Sequence, residues 1–193
     1  MQRERSRRTR EFVLDTAAEE FSRNGYAVTT LNAVAARTGM TKGAVYGHFA
    51  SKTELANALV ECGADAWDVV LRTSTGPDRD PLAALRSLTL GLTRALHEQV
   101  RLKAALRLVA DAPEGAEPVK PHFVQDIRSH LAGLVREAQD QGAVTPRYAA
   151  QDIAELLLVV VFGTQSPALA PQERELLLWM NTVWRILEEA LRA

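Results

Sequence analysis

The stretch Thr38-Gly39-Met40-Thr41-Lys42-Gly43-Ala44-Val45-Tyr46-Gly47-His48-Phe49 decides how this chain is read. It sets a glycine between two short segments of helical periodicity. Upstream, Thr29 or Thr30 can cap a helix that turns Leu31, Val34 and Ala35 inward, and Gly39 stops it. Downstream, Thr41 can cap a second short helix holding Ala44, Val45 and Tyr46. Two short helices around a tight turn have the form of a helix-turn-helix reader: the first braces, and the second places its N-terminal side chains in a major groove. Thr41, Lys42, Gly43 and Ala44 fill that N-terminal turn, and their small size lets backbone approach DNA around one cation. Lys42 can donate to a guanine edge or a phosphate, while a threonine can do either or touch a thymine methyl. Tyr46 and His48 follow just beyond the turn. Thr30 and Lys52 stand at helix starts, where backbone N–H groups meet phosphates. Phe49 reads as core. The bland reading stays open here, because bends between helices occur in many helical proteins and a lone His48 equally fits a packing role.

Outward from this stretch almost everything reads as helix. A first helix runs from about 7 to 24 with Phe12, Val13, Thr16, Ala17 and Phe21 as its apolar stripe, and Gly25 follows as its cap. The arginines at 3, 5, 7, 8 and 10 form an arm that can follow the DNA backbone or enter a neighbouring minor groove. Ser51 with Glu54 makes a capping box for a long helix through Trp67 and Val70 to about 72. Residues 73–80 read as a loop, and Pro81 suits the first turn of a helix over 81–98. Further helices fit at about 100–111, 122–140, 148–165 and 172–191. The expected fold is all-α with about nine helices. A helix-turn-helix domain over 1–50 joins a larger ligand-binding and dimerisation domain over 51–193.

Charge divides the chain in the same place. Residues 1–52 hold nine basic and five acidic side chains, while the other 141 of the 193 residues hold 14 and 19. A basic head on an acidic body points to one end that meets a polyanion. Cys62 is the sole cysteine and cannot close an internal disulfide. The longest apolar run, 156–162, is far short of the roughly 20 residues that span a bilayer. The sequence therefore reads as a cytoplasmic protein with no membrane partner and no cofactor.

The residues from Phe12 to Leu59 strongly resemble the N-terminal domain of the TetR family of bacterial repressors. The likeness is carried by Ala17 and Phe21, Gly25 and Tyr26, Thr29 and Thr30, Val34 and Ala35, the whole of 38–49, then Ser51, Lys52 and Leu55. It implies DNA contacts by Thr41, Lys42, Gly43, Ala44, Tyr46 and His48, with Thr30 and Lys52 on phosphates. Gly47 departs from an aromatic frequent at that place. Leu88 to Leu90, Arg107 and Leu108, Pro121 and Phe123, and Val161 to Thr164 look like the γ-butyrolactone receptor branch of the family from Streptomyces and related actinomycetes. Members of that branch repress antibiotic-related genes and leave DNA when a small autoregulator binds. Phe123 stands where that branch typically has a tryptophan over the lactone, and Gly63 where a glutamine is frequent, so a different ligand is implied.

A single reader makes few phosphate contacts, and two-fold symmetry doubles them on a palindrome. Ile153, Leu156 and Val160 on one helix, with Leu176, Val183, Trp184 and Leu187 on the last, offer a homodimer interface, although the same stripes could fill the chain's own core. Trp179 and Trp184 are five apart and cannot share one face, so one is expected to point inward. Trp67, Leu85, Leu88, Thr89, Phe123 and Ile127, closed by Val161 and Thr164, are the candidate lining of an apolar ligand pocket. Singly, each is equally a core residue.

Two other classes of protein share parts of this pattern. His122, Asp126 and His130 recur every four residues and could bind a metal, but one helix alone contributes them and Pro121 opens it. There is no phosphate loop, nucleophile elbow or Cys–His pair, so no catalytic residue is assigned. A DNA-binding scaffold with no small-molecule inducer fits the same interior.

Overall fold

A computed structural model describes residues 1–76, 79–111, 122–165 and 175–192. Those residues form nine helices: α1 (Gln2–Val28), α2 (Leu31–Thr38), α3 (Lys42–Tyr46), α4 (Lys52–Ser74), α5 (Pro81–Glu98), α6 (Val100–Ala110), α7 (His122–Asp140), α8 (Ala150–Gly163) and α9 (Leu176–Leu191). The expected helix starts at 81, 100 and 122 coincide with the observed ones. The greatest departure is at the N-terminus, where α1 begins at Gln2 and the arginine arm is helical. Glu4 holds that extension, accepting from Arg7 at 3.0 Å and Arg8 at 3.2 Å, spacings of three and four residues that face each other on a helix.

Local chemistry explains the breaks. Gly25 interrupts α1 with φ 72° and ψ 179°, a conformation essentially confined to glycine, so one helical run ends and a short turn follows. Gly39 takes φ 69° and ψ 12° and returns its N–H to the carbonyls of Ala35 and Ala36, closing α2. Ser51 Oγ accepts from the Glu54 N–H at 3.0 Å, and Glu54 reaches back to the Ala50 N–H at 2.7 Å, one residue earlier than in the standard box. Asp80 caps α5 by accepting from Ala83 N–H at 2.8 Å, just ahead of Pro81.

The chain forms two compact units, one of Met1–Ala66 with Gln99–His122 and one of Trp67–Glu98 with Phe123–Ala193. This division differs from a single cut after residue 50. The first half of α4, and α6, belong with the head because they supply its floor.

In the first unit, Val13, Ala17, Phe21, Val34, Val45, Phe49, Leu55 and Leu59 are fully or almost fully buried. Two ion-pair clusters lock its helices together. Arg37 of α2 donates to Glu20 at 2.6 Å and also to Glu19 of α1, and the Glu20 contact holds its pKa above the ordinary arginine value. Arg101 of α6 donates to Asp15 and Glu11 of α1, both at 2.7 Å. Burial opposes that charge, but the two carboxylates outweigh it and raise the pKa, so Arg101 stays cationic.

The second unit centres on Leu85, Leu88, Leu92 and Leu96 of α5, Ile127, Leu131 and Val135 of α7, Val161 of α8 and Trp184 of α9. Arg86 fastens α9 to α5, donating to Asn181 at 2.8 Å and Glu188 at 3.4 Å.

Candidate functional site

The reader is built by two threonine caps. Thr30 accepts from Ala33 N–H at 3.1 Å and Thr41 from Ala44 N–H at 3.3 Å, so each hydroxyl spends an acceptor position on its helix and keeps its proton to give. Both residues are exposed. Val45 and Phe49 seat α3 in the core, and the Arg10 guanidinium lies 4.6 Å over the Phe49 ring. With that side buried, the other side of α3 is open. Lys42 and Gly43 are exposed, Tyr46 is 48% exposed, and Ala44 and His48 are half-buried. Nothing lies within 4 Å of a Cβ added at Gly43, so its bare backbone faces open space.

Lys52 behaves differently from the other predicted contacts. Its Nζ donates to the Tyr26 carbonyl at 2.9 Å and reaches the Ala27 carbonyl at 3.4 Å, lying 4.3 Å over the Tyr26 ring. The ammonium thus closes carbonyls left free after the break at Gly25. Sequence spacing could not show this, because the two partners lie 25 and 26 residues away. Asp111 at the end of α6 supports the same turn, accepting from Tyr26 N–H at 3.4 Å and from Arg107 at 2.9 Å.

The eight candidate lining residues, Trp67, Leu85, Leu88, Thr89, Phe123, Ile127, Val161 and Thr164, all fall in the second unit and are all buried. The buried polar residues of that unit, among the described ones, are Ser74, Thr89, Thr93 and Thr164, none of them charged. Thr89 Oγ1 donates to the Leu85 carbonyl at 3.0 Å and accepts the Trp184 indole N–H at 2.8 Å. Thr164 Oγ1 donates to the Val161 carbonyl at 2.6 Å. Trp67 meets the His130 ring edge-on at 5.9 Å.

The dimerisation candidates part company. Ile153, Leu176 and Trp184 are buried within the protomer, while Val160, Val183 and Leu187 are half-buried and Leu156 is 47% exposed. Of the two spaced tryptophans, Trp184 points inward and Trp179 is 39% exposed. The open apolar surface also includes residues that the sequence reading did not single out, Val159 at 66%, Leu178 at 69% and Ile186 at 60%. For two of them a signal was available, the offset of three residues of Val159 from Leu156 and of Ile186 from Val183.

No group of three or more His, Cys, Asp or Glu is placed to hold a metal among the described residues. His130 Nδ1 sits 2.8 Å from the Asp126 backbone carbonyl, and the His122 side chain lies outside the described residues. No helix of the described residues is long and apolar enough to cross a membrane.

A helix-turn-helix with an open recognition face, ahead of an uncharged helical interior, defines a class. Residues 13–59 match the family model described as bacterial regulatory proteins, tetR family. The chain belongs to the TetR family and is a regulator rather than an enzyme. It is 30% identical to a crystal structure of a gamma-butyrolactone receptor (ArpA-like protein), over 96% of this chain and 98% of that one, with a TM-score of 0.73. It is 31% identical to CprB from Streptomyces coelicolor, solved in complex with its biological operator sequence, over 98% of this chain and 90% of that one, with a TM-score of 0.81. These likenesses place it in the γ-butyrolactone receptor branch. The HTH-type transcriptional regulator TtgR of Pseudomonas putida is 37% identical over 89 residues, 46% of this chain and 42% of that protein. That match spans less than half of TtgR's length.

Proposed function

We propose that this protein is a cytoplasmic, ligand-responsive transcriptional repressor that binds a palindromic operator as a homodimer. A small, largely apolar molecule releases it, and its targets are genes of secondary metabolism. The observation that carries the reading is the open face of α3, where Thr41, Lys42, Gly43 and Tyr46 stand free while Val45 and Phe49 anchor the helix. Thr41 and Lys42 are suited to base edges, and Thr30 to a phosphate across the groove. Lys52 supports the phosphate contact by bracing the turn that holds Thr30.

The inducer is a neutral molecule with one or two hydrogen-bond acceptors. An interior whose buried polar groups are hydroxyls and an indole N–H would not compensate an ionised group. Phe123 keeps an aromatic face but has no donor, which favours an antibiotic or pathway intermediate over a standard butyrolactone. Helix α4 runs without a break from Lys52 to Ser74. A ligand against Trp67 would tilt α4 and change the separation of the two reading heads, which a palindrome fixes at about 34–36 Å or a multiple. Firm switching requires the ligand to favour the DNA-incompetent state by roughly 5 kcal/mol.

The test is selection of genomic fragments with the purified protein, then release assays on the best fragment. A palindromic site released by culture extract, with weak response to a butyrolactone panel, is the expected result. Nanomolar release by a standard butyrolactone would overturn the ligand assignment. Complete insensitivity to extract and panel would favour a scaffold regulator without an inducer.

A further inference from the structure

Between α7 and α8 lies a cleft of about 340 Å³, wholly within the second unit and apart from the buried interior. Its floor is Ala132 and Ala154, both buried, so the two helices leave a trough where larger side chains would meet. Its walls are long polar side chains. Gln125, Arg128, Ser129 and Arg136 follow the i, i+3, i+4 and i+11 stripe of α7, and Gln151 and Glu155 face them from α8. Glu155 is the single acid of this lining, and it is engaged by Arg128 Nε at 3.0 Å. Among the described residues the outer guanidinium nitrogens of Arg128 have no partner.

Among the described residues Arg136 pairs with no carboxylate and the side chains of Gln125, Ser129 and Gln151 have no hydrogen-bond partner, all four standing exposed at the surface. The cleft therefore carries a surplus positive charge and five side chains with unspent donors, on a body that is acidic overall. On α8, the cleft residues Gln151, Ala154 and Glu155 border one edge of the buried stripe. Leu156 and Val160 turn away from the cleft, while Val159 follows Glu155 by one helical turn and borders its outer wall.

We propose that the α7–α8 cleft is a second ligand site, taking a small molecule that presents a carboxylate or phosphate group. Arg136 and the free nitrogens of Arg128 grip the oxyanion in charge-assisted hydrogen bonds, with Ser129 and Gln151 donating from either wall. The body of the ligand rests on the alanine floor. Glu155 acts as a competitor that holds Arg128 until the oxyanion arrives. This site is independent of the interior ligand, because its charge and polarity select the opposite kind of molecule.

The test is calorimetric titration of the full chain with inorganic phosphate and with citrate, at low and raised salt, on the parent and two surface variants. Binding of either anion, weakened by salt, is expected. Arg136→Gln should weaken it by about fivefold or more, and Glu155→Gln should tighten it by about threefold as Arg128 is freed. Preference for phosphate or citrate then names the ligand class. Absence of heat with both anions, or affinities that neither variant moves while thermal unfolding is unchanged, would overturn the assignment.

Discussion

Trp184 donates its indole N–H to the Thr89 hydroxyl at 2.8 Å, with both residues buried, and so ties α9 to α5 through the interior. Thr89→Val keeps the shape and leaves that N–H without a partner. The expected cost is about 1–3 kcal/mol of unfolding free energy, or several degrees in Tm for a chain of this size. Thr89→Ser should recover most of it. Thermal unfolding followed by tryptophan fluorescence reads both, and equal Tm values for all three proteins would show that the bond contributes nothing.

Gly25 and Gly39 both have positive φ but differ in their surroundings. At Gly25 an added Cβ would run into the Asp111 carboxylate, whereas at Gly39 nothing lies within 4 Å. Gly39→Ala should therefore cost only backbone strain, about 1–2 kcal/mol. Gly25→Ala should cost more, about 2–3 kcal/mol, because its backbone conformation is almost closed to other residues and Asp111 must also leave the Tyr26 N–H. Urea denaturation of the two variants checks the order, and a Gly25 variant as stable as the parent contradicts it.

Lys42 and Lys52 should separate function from support. Lys42→Ala leaves the fold intact and lowers operator affinity, and if its contact is to a phosphate the slope of log affinity against log salt drops by about one. Lys52→Ala removes the bond to the Tyr26 carbonyl and should lower the melting temperature. Its salt slope should stay near the parent's. Fluorescence anisotropy across a salt series, paired with melting curves, distinguishes them.

Leu156→Glu and Ile186→Glu place charges on the open apolar surface without touching the core. Sedimentation should then show monomers where the parent is a dimer, with helical content unchanged. Dimers in both variants at micromolar concentration would move the interface elsewhere.

The head was legible because its signals are local. A cap, a glycine and a three-residue apolar period each act within one helical turn, so Gly39 and Thr41 could be placed from neighbours alone, the cap of α2 to within one residue of Thr30, and in the second unit Pro81 by the same kind of signal. The helical start at Gln2 was missed because the arm buries nothing and so has no apolar stripe, and only the local Glu4 pairs with Arg7 and Arg8 mark it. Lys52 and Trp184 were assigned by type and position, yet their partners lie 26 and 95 residues away, beyond any periodicity. The same limit hid the split between Leu157, which is buried, and Val159, which is open, since a run apolar on every side gives no phase.

The most direct measurement compares binding of the purified protein to its selected palindrome and to a single half-site, with stoichiometry determined by sedimentation. Two reading heads on one symmetric site predict two chains per palindrome and an affinity at least a hundredfold above the half-site's. One chain per duplex, or equal affinity for both DNAs, would contradict the account.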